Sequence, residues 1–230
     1  MLTRALLEAG ARVVALERDL SLAAGLRARF GDDVAVVEAD ALAWPVPTEP
    51  YAIVANLPFA GSGAILSRLL RGPVTRAVVI VEWAFALKQA AVWPTTLKSA
   101  YWRAFYELEI VRRLDRTAFA PTPSVDAGVL RFERLAQPLV PAVESQRYWH
   151  FLSEAFHAGT EVGRGILTPL QAKRLAPTLG FLQHARPREL DARQWAGIYE
   201  AVGRTSEGRG RRRGSRASRL GGDGPPSGAA

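Results

Sequence analysis

With 230 residues, 48% hydrophobic and 23% charged, the chain suits one domain plus an appendage, or one large domain, and can bury a core. It has no cysteine, which excludes disulfides and thiolate metal sites, and three scattered histidines (His150, His157, His184) argue against a metal cluster. The formal net charge of +8 is uneven: residues 204–230 carry +5, from seven Arg against Glu207 and Asp223, leaving +3 on the first 203 residues. Lysine supplies only Lys88, Lys98 and Lys173 of the thirty basic residues. Arginine dominance fits a phosphate-bearing partner, and equally a GC-rich genome. No stretch reads as a signal peptide and no apolar run approaches the roughly 20 residues of a membrane span, so the expectation is a soluble cytoplasmic protein.

In chain order, residues 3–9 read as a short helix ending at Gly10, and 12–17 ("RVVALE") as an apolar strand ending on an acid. Residues 20–30 place Leu20, Leu22, Leu26 and Phe30 near helical spacing before Gly31. Strands follow at 34–40 and 51–55, a helix at 62–71, then a strand over 76–85 that runs into a helix. This alternation with continuous apolar strands predicts a parallel sheet covered on both faces. Residues 104–114 and 127–133 alternate more and predict an antiparallel hairpin at one edge. After Pro141 the pattern turns helical at 145–158, 168–178 and 191–202. The expected organisation is a catalytic domain over 1–136, a helical RNA-binding domain over 137–203 and a disordered Arg/Gly-rich tail over 204–230.

In open parallel sheets ligands bind beyond the carboxyl ends of the strands, and three such ends carry Glu17, Asp40 and Asn56. Each acid alone is more often a helix cap or a solvated turn; on successive strands they suit the hydroxyls and amine of a nucleoside. The stretch "YAIVANLPFAGSG" (51–63) is more specific. Pro58 fixes its own φ and keeps Leu57 extended, so the strand cannot pass directly into a helix. Carbonyls at such a stop can point outward beside the Asn56 amide oxygen. Two acceptors suit a planar amine, and Phe59 offers a face for a base. The plain alternative is a tight turn using Asn and Pro in the ordinary way.

"NLPF" after an apolar strand resembles the adenine-amine methyltransferase motif, and "TAFAPTPSVD" (117–126) resembles a segment of the rRNA adenine dimethyltransferase family. The late "RPRELDARQWAGIYEAV" is similar to the C-terminal helix of the Erm branch, 23S rRNA enzymes of macrolide resistance, more than to the 16S branch of ribosome biogenesis. The resemblance spans residues 2 to about 202. It implies a Rossmann-like S-adenosylmethionine-dependent methyltransferase with a small C-terminal helical domain, acting as a monomer on 23S rRNA without a metal. Glu17 would bind the cofactor's ribose, with Asp40 and Ala41 at its adenine. Asn56, Leu57 and Pro58 would hold the target amine, Phe59 would stack on the base, and Phe119 would form the opposite wall. The resemblance also implies a first strand and glycine-rich turn ahead of "LTRALLEAG", which the sequence lacks. That strand would lie between those ending at Glu17 and Asn56, so weak S-adenosylmethionine binding is expected. The rival readings are a 16S rRNA dimethylase and an inactive RNA-binding remnant. Residues 88–103, with Lys88, Lys98, Arg103 and Trp93, suit an RNA-facing rim; an ordinary connection with Trp102 in the core explains them as well.

Overall fold

The computed structural model describes residues 2–202, so the expected disordered tail lies outside the described residues. The first half alternates: α1 (Leu2–Glu8), β1 (Val13–Glu17), α2 (Leu20–Phe30), β2 (Val34–Glu38), β3 (Tyr51–Asn56), α3 (Ser62–Leu69), β4 (Val74–Glu82) and α4 (Trp83–Ala90). A short α5 (Leu97–Trp102) leads into β5 (Tyr106–Leu114) and β6 (Ala127–Arg134). The remainder is helical: α6 (Ser145–Ala158), α7 (Val162–Gly165), α8 (Pro169–Leu179) and α9 (Ala192–Val202).

Local chemistry sets these boundaries. Asp19 caps α2 by accepting from the Ser21 and Leu22 amides, and Gly31, at φ +53°, ends it in a conformation that a side chain would strain. Thr96 and Thr168 open α5 and α8 with reciprocal capping boxes. Apolar residues alternate along β5, burying Tyr106 and Leu108 on one face. The predicted strand over 76–85 stops at Glu82, because Trp83 already begins α4 and its amide donates to the Asp126 carbonyl.

The strands form two sheets. β1 and β2 pair in parallel, and β3, β4, β6 and β5 form a mixed sheet in that order. β3 runs parallel to β4, whereas β6 is antiparallel to both β4 and β5, so the expected hairpin does occupy one edge. β1 and β3 are not hydrogen-bonded to one another. The segment after Asp40 links the two sheets: Arg68 of α3 donates to the Trp44 carbonyl at 3.1 Å, and Tyr51 and Val46 crowd the Cα of Gly72 so closely that a Cβ there would meet Val46 at 2.4 Å.

One continuous core runs from Ile53 to Tyr199. Val79, Val81, Leu130 and Phe132 are fully buried in the mixed sheet, and Trp195, Tyr148, Leu152 and Ile198 among the helices. Aromatic rings join the two parts, with Tyr101 of α5 against Tyr148 and Trp149 of α6, and Tyr148 against Tyr199 of α9. Packing therefore crosses residue 136 without a break.

Candidate active site

β3 ends at Asn56, and the next amide, Leu57 N–H, donates to the Ile80 carbonyl of β4 at 3.0 Å. The chain then leaves the sheet. Leu57 is buried as an anchor, while Asn56 and Pro58 are exposed and Phe59 is half-buried. The turn closes at Gly61, whose φ of +101° only glycine adopts without strain, and α3 starts at once. Ser62, 2% exposed, donates its hydroxyl to the Pro58 carbonyl at 2.7 Å, and also lies 3.3 Å from the Phe59 carbonyl. Among the described residues the Leu57 carbonyl accepts no hydrogen bond. Of the two carbonyls expected to join Asn56, Pro58 is thus tied into the turn and Leu57 is free.

Lys98 supports this turn from behind. Its ammonium donates to the Gly63 carbonyl at 3.1 Å, and burial lowers its pKa from the ordinary value of 10.5. The Phe85 ring packs 3.3 Å from where a Gly63 Cβ would stand. The segment 88–103 divides between the two readings given for it, a rim and an ordinary connection. Half-buried Lys98 donates to the Gly63 carbonyl, Arg103 donates to the Ala90 carbonyl, and Trp102 lies in the core at 2% exposure. Only Lys88 and Trp93 of the residues singled out there are exposed. The polar heads of long cations found acceptors behind the motif, a pairing across 35 residues that no local pattern announces.

Glu17 and Asp40 come together because β1 and β2 are in register, Glu17 opposite Glu38, with the Ala39 amide donating to the Glu17 carbonyl at 3.2 Å. Each carboxylate spends one oxygen locally, Glu17 on the Asp19 amide at 2.9 Å and Asp40 on the Leu42 amide at 2.8 Å. Each keeps a second oxygen for an incoming donor. Arg18 approaches Asp40 at only 3.9 Å across largely exposed surface, a weak pairing. Ala41 follows, half-buried in the turn that Asp40 initiates.

Phe119 is half-buried in the loop between β5 and β6. Neither it nor Phe59 stacks on another aromatic ring among the described residues. The ends of this loop are pinned by Asp126, which accepts from the Arg113 guanidinium, at 2.5 and 3.0 Å, and from the Arg116 amide at 3.2 Å. The Arg113 hydrogen bonds hold the Asp126 carboxyl below its usual range. Arg113 also lies 5.2 Å over the ring of Trp83. Trp83 and this arginine–aspartate bridge escaped the reading by sequence, since a strand-end Trp and a loop Asp carry no shared spacing.

The family model for ribosomal RNA adenine dimethylase matches residues 1–185. The chain belongs to that family. A mycinamicin-resistance protein, MyrB of Micromonospora griseorubida, is 34% identical over 206 residues, covering 86% of this chain and 65% of its own. A ribosomal RNA small subunit methyltransferase A of a Synechococcus strain is 32% identical, covering 87% of this chain and 76% of its own. The crystal structure of the 23S rRNA methyltransferase ErmE superposes with a TM-score of 0.71 at 26% identity, over 83% of this chain and 82% of that one. The fold is therefore the family's methyltransferase fold, with the helical C-terminal part expected from the sequence. The match spans just under two thirds of MyrB and of an rRNA adenine N-6-methyltransferase of Corynebacterium diphtheriae, at 65% of each.

Proposed function

We propose that the protein transfers a methyl group from S-adenosylmethionine to the exocyclic amine of an adenine in 23S rRNA, the reaction of a macrolide-type resistance enzyme. The observation that carries the reading is the turn at Asn56–Phe59: an exposed Asn side chain beside the free Leu57 carbonyl, with the Pro58 carbonyl held by Ser62. The resistance protein and the 23S rRNA methyltransferase among its relatives support the choice of RNA. The small-subunit methyltransferase relative supports 16S rRNA as the second reading.

The chain's residues fit the nucleoside part of the cofactor. Glu17 offers a free carboxylate oxygen and Asp40 one that only the exposed Arg18 approaches, at 3.9 Å, at neighbouring strand ends, Glu17 for ribose hydroxyls and Asp40, beside Ala41, for an adenine amine. When bound, S-adenosylmethionine supplies an electrophilic methyl on a sulfonium. An adenine amine is a poor nucleophile because its lone pair is delocalised into the ring. The Asn56 amide oxygen and the Leu57 carbonyl accept its two N–H bonds, which localises the pair and aims it. Phe59 and Phe119 hold the faces of the base, so the rate enhancement comes chiefly from orientation. Leu57 acts through its backbone; its buried side chain keeps the carbonyl fixed.

The test is transfer of labelled methyl to unmodified 23S and 16S rRNA, with the product mapped to the base. Label is expected on the amine of one 23S adenine. Asn56→Ala should reduce transfer about 100-fold or more while changing RNA affinity by less than about threefold. Label on 16S rRNA alone would favour the second reading. RNA binding with no transfer by the unaltered chain would leave an RNA-binding protein rather than an enzyme.

A further inference from the structure

A cleft of about 340 Å³ opens where β4 meets α4, lined by Glu82, Trp83, Ala84, Arg116, Ser124, Val125 and Asp126. It adjoins the Asn56 turn without including any residue assigned to it. Leu57 is bonded to Ile80 of β4, and Glu82 stands two residues further along that strand, roughly 7 Å away. The volume falls at the lower end of the roughly 300–1,000 Å³ typical of small-ligand sites.

We infer that this cleft holds one nucleotide of the RNA, the neighbour of the adenine presented to Asn56, with its phosphate on Arg116 and its base or ribose on Glu82. The inference rests on the rRNA-methylation reading and adds to it a second nucleotide site. Three observations carry it. First, the cleft is built in advance. Asp126 clamps Arg113 and the Arg116 amide, and the Trp83 ring is fixed by Arg113, 5.2 Å over it, and by Gly128, where a Cβ would approach Trp83 to 3.1 Å and Ala86 to 2.9 Å. Second, its polar groups are the ones a nucleotide needs. Among the described residues the exposed Arg116 guanidinium makes no salt bridge or hydrogen bond and interacts through space with the neighbouring Asp115 carboxylate, and a guanidinium fork matches phosphate. The Glu82 carboxylate can accept from a base amine or a ribose hydroxyl, and the Ser124 hydroxyl can donate or accept. A site for a bare anion would not be lined by the Glu82 and Asp126 carboxylates as well as Arg116. Third, the cleft is shallow and open to solvent next to the Asn56 turn, so the nucleotide beside an adenine splayed into that turn can reach it without a duplex around it.

The experiment is a double-mutant cycle on binding. The probes are a fluorescein-labelled RNA hairpin with a single-stranded adenine in its loop, and versions with a neutral methylphosphonate at each linkage flanking that adenine. The unaltered chain should lose about tenfold in affinity for one of the modified hairpins. Arg116→Ala should bind the unmodified hairpin about tenfold more weakly and lose nothing further with that same modification. A fully double-stranded RNA should respond less than twofold to Arg116→Ala. Additive losses at every flanking linkage, or equal losses for duplex and hairpin, would make Arg116 a diffuse surface charge and overturn the cleft, leaving the methylation reading intact. If the unaltered chain binds none of these RNAs, the methylation reading fails first and this one falls with it.

Discussion

β1 and β4 are both valine-rich parallel strands, yet they sit in different surroundings. β4 buries Val74, Ala77, Val79 and Val81 completely, between β3 and β6, with helices across its faces. β1 pairs only with β2, leaves Val14 50% exposed, and belongs to a region in which α1 buries nothing and α2 buries only Ala23. The buried residues of the continuous core begin at Ile53, with Tyr51 packed against its edge and nothing from β1 or β2 in it. A strand pattern is thus enough to form a ladder, while its stability comes from what covers it. The candidate site straddles this divide. The Asn56 turn is rooted in the packed sheet; Glu17 and Asp40 stand on the thin one.

The widest gap should appear in amide hydrogen exchange. Amides of β1 and β2 are expected to exchange at least about 100-fold faster than those of β4 and β6, since local opening costs little where few apolar contacts are lost. Equal protection in the two sheets would break the comparison. Next in size is truncation of side chains. Leu130→Ala, at a fully buried position, should cost about 2–5 kcal/mol in denaturant unfolding, and Val14→Ala no more than about 0.5 kcal/mol. The smallest effect concerns the loop that pins the cleft. Asp126, held low by Arg113, contributes stability above its ordinary value of 3.8 that is lost as pH falls through its folded value. Arg113→Gln should move the Asp126 titration, followed by NMR, up toward that ordinary value; an unmoved midpoint would deny the pairing any electrostatic role.

Much of this architecture can be read along the chain. The helices at 20–30 and 145–158 occur over the predicted residues, because their apolar spacing and flanking glycines act locally. The antiparallel hairpin, the strand ending at the Asn-Leu-Pro-Phe turn and the acids at successive strand ends are likewise legible, since period and proline chemistry need no distant partner. Lys98 shows the limit. By composition it belongs to a basic, aromatic segment; in the fold it is half-buried and its ammonium serves a carbonyl 35 residues away. Trp83 shows the same from the other side: it reads as the continuation of a strand, and becomes a cleft wall because Gly128 and Arg113 arrive from β6 and β5.

The sequence by itself determined the alternating class of the fold, the family and the residues at the strand ends, because hydrophobic period, proline and a short polar motif act over a few residues. Only the tertiary structure decided which carbonyl of the turn stays free, that the Lys98 ammonium is held by the Gly63 carbonyl, and that the two sheets differ so much in burial. Those outcomes depend on side chains and backbone meeting across long stretches of chain, where packing and desolvation choose among partners that local sequence leaves open.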